Sequence, residues 1–477
     1  MEEQNYEMNR PVNPRRKKRS QMQIFKEAYL PVIIAGLAVL LIIVFIIGSI
    51  TRAVQKSRFE KMESIAASSS LAAEQERIDQ AIQALIAEAD VLAAGYDYEA
   101  AIALLNTFDS DIAQYPALID QVVIYERAMK NMIAWEDPNQ IPNLSFQILL
   151  ADPSRGYSYQ DYGSAINRNF VTTTEFSRIL QQLYDNGYVL VDLDDFVDAQ
   201  VGVDGTVTYA AKTLYLPNGK KPIMLTQTNV NYNYYLIDSN GDRIADAYGA
   251  GIASKLLWDG SVFTSEMVDA TGNVITGDFD LVPILESFIA KNPSFSYKGA
   301  RATLALTGYN GLLGYRTHPK AMTVFGEAAY QQDIQDVTTV INALRETGYT
   351  LACYTYENIS YGSSSLSQIN TDMNEWTNEV TPILGNINIL TYAQMSDIAT
   401  PQTAYSGEKY EVLRDLGFRY FIGFCEDGKP WTSITSDYVR QGRIMVSGST
   451  LAYHADWFAA MFDASTVLDA TRVNIPR

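Results

Sequence analysis

Three stretches of this 477-residue chain share one order of residue types: a helical stretch, a glycine, an aromatic residue, then an apolar run. They read "RILQQLYDNGYVLVDL", "VINALRETGYTLACY" and "YEVLRDLGFRYFIGF". Gly187, Gly348 and Gly417 fit the left-handed position just past a helix end, which favours a residue without Cβ. A short loop then feeds a buried strand. Further strand candidates are "SFQILLA", "KPIMLTQ", "ATLALTG" and "INILTYA". Strands alternating with helices predict an α/β fold with a mostly parallel sheet. Six or seven such units in roughly 330 residues suit a (β/α) barrel, complete or incomplete. An open doubly wound sheet is the alternative.

The N-terminal part has a different grammar. From Tyr29 to Ile50 the chain reads "YLPVIIAGLAVLLIIVFIIGSI" without one charge. As a helix this run spans about 33 Å, enough for a hydrocarbon core of roughly 30 Å. The preceding residues 1–28 carry seven Lys/Arg against four Asp/Glu, which predicts a cytoplasmic N-terminus, a single-pass anchor and an external remainder. The run is too long for the apolar region of a cleaved signal peptide. Residues 51–135 then read as a helical stalk. Ile78, Ile82, Leu85, Ala89 and Leu92 keep one apolar stripe, Gly95 breaks it, and "GYDYEAAIALLNTF" starts a second helix. A tetratricopeptide-like hairpin is one form this could take, but a single repeat cannot bury its own face. "AWEDPNQIPN", Ala134 to Asn143, reads as the linker into a domain over residues 144–477.

Within that domain the helix–strand rhythm stops at about residues 232–280. This reads as a β insertion with hairpins around Asn240-Gly241 and Gly272-Asn273. Asp238, Asn240 and Asp242 mimic the start of a calcium loop. Arg243 and Gly249 stand where that loop needs Gly and Glu, so a turn is expected.

The residue inventory excludes several chemistries. A formal charge of −19 argues against a nucleic-acid partner. Cys353 and Cys425 sit in strand-like runs and read as buried free thiols. The only histidines are His318, expected in a solvated loop, and His454, so no mechanism can use several imidazoles.

The segments "GYVLVDLDDF", "KKPIMLTQTNVNYNYY", "GARATLALTGYNGLLGYRT", "ETGYTLACYTYENIS" and "YVRQGRIMVSG" follow one another in an order and spacing similar to polysaccharide deacetylases of the NodB type, family 4 of the carbohydrate esterases. The resemblance is greatest to membrane-anchored members of clostridia-like bacteria. It implies a (β/α) barrel, extracellular action on a glycan, and a divalent metal such as zinc. The signature residues depart from the family. Its T-F-D-D motif, base and metal ligand included, falls on Thr226, Gln227, Thr228 and Asn229. Its H-[ST]-x-x-H metal motif falls on Tyr354, Thr355, Tyr356, Glu357 and Asn358. His454 is a weak counterpart of the late acid histidine. Threonine cannot serve as a base near neutral pH, and amides or a phenol do not replace imidazoles and a carboxylate around zinc. No catalytic residue, metal or cofactor is therefore expected.

What remains is an uncharged, amide-rich and aromatic cleft formed by Gln227, Asn229, Tyr232, Tyr354, Tyr356 and Asn358, suited to a cell-wall or surface polysaccharide. The alternatives are an active hydrolase with a relocated site and a scaffold for envelope proteins. Asp192, Asp194 and Asp195 are the nearest relocated carboxylates, and helix capping is their expected role. Glu357 is expected to face solvent.

Overall fold

The computed structural model describes residues 67–477, residue 110 excepted. The apolar run at 29–50 lies outside the described residues. Among those described, no helix is long and apolar enough to cross a membrane.

Eight strands organise the large domain: β1 (Asn143–Phe146), β2 (Tyr188–Leu190), β3 (Lys221–Thr228), β4 (Thr303–Leu306), β5 (Thr350–Cys353), β6 (Ile389–Thr391), β7 (Tyr420–Phe424) and β8 (Val439–Met445). Seven of them close a parallel barrel in the order β1-β3-β4-β5-β6-β7-β8 and back to β1. The open-sheet alternative is thereby set aside. β2 pairs with Lys221 to Ile223 at the start of β3, while β4 takes Thr226 to Thr228 on the second half of that strand. The three glycines hold their expected conformation, with φ of 78° at Gly187, 113° at Gly348 and 100° at Gly417.

Side chains alternate across the barrel wall, as a strand's period of two requires. Ile223 and Leu225 pack outward with the helices, whereas Met224 joins Ala305, Ala352, Tyr354, Ile389, Ile422 and Val439 inside. The N-terminal end of the barrel is plugged. A short helix, Leu193–Phe196, leads into the antiparallel strands Val197–Val201 and Val207–Ala211. Phe196, Val197 and Tyr209 join the inner cluster, and Tyr209 meets Tyr420 edge-on at 5.3 Å. Asp192 and Asp195 form the expected cap: Asp195 Oδ2 accepts the Asp192 N–H at 2.8 Å.

Among the described residues the stalk forms three α-helices, Ala67–Ala94, Tyr98–Leu105 and Pro116–Lys130, with an apolar core of their own. One helix more than a hairpin lets the apolar stripe be covered from two sides. This module docks on the plugged end. Lys298 N–H donates to the Gly95 carbonyl at 2.7 Å, and the Tyr96 hydroxyl donates to the Ser294 carbonyl at 2.9 Å. The segment read as a linker is also pinned: Ile133–Trp135 pairs with Leu214–Leu216, and Thr432 N–H donates to Asn139 Oδ1.

The insertion contributes the antiparallel strands Lys255–Trp258, Phe263–Val268 and Val274–Gly277, on the flank against helices Leu281–Lys291 and Glu327–Thr347. Val268 pairs with Val274, so the turn at Gly272-Asn273 is as expected. The hairpin expected at Asn240-Gly241 is corrected. That stretch follows a short helix, Tyr234–Ile237, and winds around Asp238, whose carboxylate accepts the N–H groups of Asn240, Gly241 and Arg243. An acidic side chain that caps its own backbone in this way needs neither a partner strand nor an ion.

Candidate functional site

The C-terminal tips of β3, β4 and β5 lie side by side, because β4 pairs with both neighbours. Thr228 and Asn229 therefore end one strand from Thr307 and two from Tyr354. Period-two alternation sorts the first family motif. Thr226 and Thr228 share the inward face with Met224. Thr226 donates to Asn143 Oδ1 at 2.8 Å, and Asn143 passes a hydrogen bond to Gln441 Oε1 at 2.9 Å. Gln227 points outward. Its amide donates to Asp280 Oδ1 at 2.6 Å, just before helix Leu281–Lys291.

The chain then bends sharply. Asn229 and Tyr232 both have left-handed backbones, φ 58° and 50°. Asparagine tolerates that region, whereas a bulky tyrosine there is strained and must be held by its surroundings. Two clamps hold it. The Tyr232 hydroxyl donates to Asp280 Oδ2 at 2.6 Å. Arg316 donates to the carbonyls of Asn231, Tyr232 and Asn310. Gln227 and Tyr232 are thus removed from the expected cleft: they are 0% and 1% exposed and belong to the scaffold of the bend. Asp280 is also fully buried. Burial pushes its carboxyl pKa up against the donors that gather on it. Tyr232→Phe leaves that carboxylate one donor short and should cost about 1–3 kcal/mol in urea unfolding.

The bend sets Asn229, Asn231 and Asn233 around the Tyr309 hydroxyl. Tyr309 donates to Asn233 Oδ1, and Thr307 donates to Asn229 Oδ1 at 3.1 Å. Neither polar atom of the Asn231 side chain nor the Asn233 amide nitrogen makes a hydrogen bond of good geometry, although these amides lie beside the Tyr309 and Tyr235 hydroxyls. Burial pushes the Tyr309 phenol up to about 12, although the neighbouring amides favour its ionised form. Asn231, Asn233 and Tyr309 were not among the expected site residues. The alternation of asparagines in "NVNYN" was the available signal.

The second motif divides in the same way. Tyr354 turns into the barrel, with the Arg443 guanidinium 5.7 Å from its ring. Tyr356 packs outward: its ring fills the space beside Gly308, and its hydroxyl donates to Glu379. Asn358 is half-buried with φ 57°, and its carbonyl accepts from Gln394. Glu357 faces solvent, as expected. Asp372 shapes this loop by accepting the N–H groups of Tyr356 and Glu357 and the Tyr361 hydroxyl.

The family's metal does not fit these residues. Among the described residues, no group of three or more His, Cys, Asp or Glu is placed to hold an ion. A buried positive charge, Arg443, stands 5.7 Å from the Tyr354 ring. Arg443 is 1% exposed and donates to the carbonyls of Ile422, Gly423 and Tyr392 at 2.8–3.1 Å. A divalent cation about 6 Å from a guanidinium meets roughly 5 kcal/mol of repulsion at an effective dielectric of ~20.

The histidines do not alter this. His454 is exposed, with its ring 4.3 Å from that of Trp457. His318 corrects its expectation of a solvated loop residue. It is 4% exposed and within 3.2 Å of the Tyr234 hydroxyl, and burial with nearby Arg316 and Arg243 pushes its pKa down to about 4. Tyr309 and His318, on either side of the bend, are thus both driven away from neutral pH. Cys353 and Cys425 are buried and free, and burial pushes the Cys425 thiol up to about 11.

No protein-family model matches the chain, and no curated protein matches it. Among solved structures the chain is similar to Streptococcus pyogenes deacetylase PplD in complex with acetate. Identity is 11% and the TM-score 0.33, over 67% of this chain and 95% of that one.

Proposed function

We propose that the protein is a non-catalytic, deacetylase-like barrel that binds a cell-wall or surface glycan, held outside the membrane by the apolar run at 29–50. The observation that carries the reading is the asparagine array at the β3 tip. Hydrolysis of an acetamide near neutral pH needs an activated water and a base. The tips of β3 and β5 offer amides, hydroxyls and phenols beside a buried guanidinium. Asn231 and Asn233 are themselves 0% exposed and shape the bend, while the partly exposed Tyr309 and Asn358 at the two tips suit neutral hydroxyl or acetamido groups.

Two measurements test this. Purified protein given N-acetylglucosamine oligomers and zinc should release no acetate above the uncatalysed rate; turnover abolished by a chelator would overturn the inactive reading. On affinity gels containing soluble cell-wall glycan, the wild type should be retarded. Asn358→Gly, which removes a half-buried amide and keeps the left-handed backbone, should lose at least several-fold of that retardation, since a lost polar contact costs about 1–3 kcal/mol. Unaltered retardation would remove the tips from recognition.

A further inference from the structure

The helical module and the barrel meet around an open groove at the plugged end, opposite the asparagine array. Two recesses, about 230 and 60 Å³, adjoin through shared walls of Tyr215, Tyr297 and Lys298. Both modules build the larger recess. Tyr96, Tyr98 and the methionines Met129 and Met132 come from the helical side. The smaller recess runs inward to Asp97, Asp195 and Lys212.

Tyr215 shows that the aromatic lining is not merely core. It sits between buried Leu214 and Leu216 in a strand, so its ring points the other way and is 52% exposed. Tyr96 stacks on Tyr297 at 6.4 Å with 30° between the rings. Both rings are largely buried, at 8% and 6% exposure, and back the groove whose exposed ring is Tyr215. Charges of both signs stand behind it. Lys298 pairs with Glu99 at 3.4 Å, and Lys212 donates to the Asp194 carbonyl at 2.9 Å.

We propose that this groove binds a segment of neutral oligosaccharide, one or two rings long, as a second glycan site at the far end of the barrel. Rings present flat apolar faces to the CH faces of a pyranose, and the interleaved carboxylates and ammoniums accept from and donate to its hydroxyls. The balance of charge around the groove gives neither a phosphorylated nor a polycationic ligand a net attraction. The position adds a consequence: a sugar held here touches both modules, so it should also strengthen their docking. The inference shares with the reading above only that the ligand is a glycan.

The test is photo-crosslinking of the full chain with a photoreactive N-acetylglucosamine tetrasaccharide, mapped by mass spectrometry, with affinity measured in parallel by calorimetry. Crosslinks are expected on peptides around Tyr98 and Tyr215. Tyr215→Ala, a change at a half-exposed ring, should reduce them at least tenfold, and Asn358→Gly should leave them intact. Crosslinks confined to the asparagine array would overturn the groove and leave the proposed function standing. Crosslinks confined to the groove would do the reverse. Groove crosslinks unchanged in Tyr215→Ala would also overturn the assignment, and Tyr98→Ala gives an independent check from the helical side.

Discussion

Replacing Arg472 with methionine is expected to lower the unfolding free energy by about 3–5 kcal/mol. The guanidinium is 1% exposed and meets the fully buried Glu175 carboxylate at 2.5 and 2.7 Å. Its other donors reach the carbonyls of Asn167 and Phe170. Glu175 also belongs to the capping box of helix Thr173–Asp185 and accepts the Asp469 N–H. One ion pair therefore fastens the C-terminal tail, a helix start and the loop after β1. Methionine fills much of the volume and leaves the carboxylate buried without a counter-charge, which is the costly half of breaking such a pair. The double variant Arg472→Met/Glu175→Gln removes that orphan charge while keeping an acceptor, so it should be more stable than the single variant. Urea unfolding of both checks this. A double variant no more stable than Arg472→Met would mean the charge itself matters little.

The second large effect is a pH dependence centred on Asp195. This carboxyl is buried under the plug, and burial pushes it up from 3.8 to about 7. Asp192 adds a smaller upward push, against the Asp192 N–H and the lysines 212 and 298 that pull it down. A raised carboxyl binds its proton more tightly in the folded chain than in the unfolded one. Its contribution to stability is therefore complete below about 4, falls as pH rises through about 7, and is flat above. Three pKa units correspond to about 4 kcal/mol. Asp195→Asn keeps an acceptor for the Asp192 N–H and removes the titration. Unfolding at pH 5 and pH 8 should show a large loss of stability in the wild type and a smaller one in the variant. Buried Asp97, Asp280 and Asp372 are raised too, so the difference between the proteins is the informative quantity. Equal pH slopes would place the effect elsewhere.

The site was less legible than the fold, and β3 shows why. Ile223, Met224 and Leu225 are all apolar, since a parallel strand inside a barrel wall is buried on both faces. A run without alternation does not say which face is the interior. Gln227 was thus expected at the mouth, although one residue of phase sends it outward to Asp280. Tyr232 was misplaced for a different reason: its direction depends on a left-handed backbone stabilised by Asp280 and Arg316, one 48 and the other 84 residues further along the chain. His318 looked solvated because burial of a loop histidine depends on what packs above it. Here that is Tyr234, whose ring is in turn covered by the Arg316 guanidinium at 4.1 Å.

The linear order of residues by itself determined the repeating helix-glycine-strand unit, the three left-handed glycines and the cap at Asp192. These are local matters, decided within a few residues by sterics and nearby hydrogen bonds. Tertiary structure alone decided that seven strands close, that three asparagines face Tyr309, and that the helical module shares a tyrosine-walled groove with the barrel base. Each of those depends on groups far apart in the chain, whose meeting is fixed by burial and register.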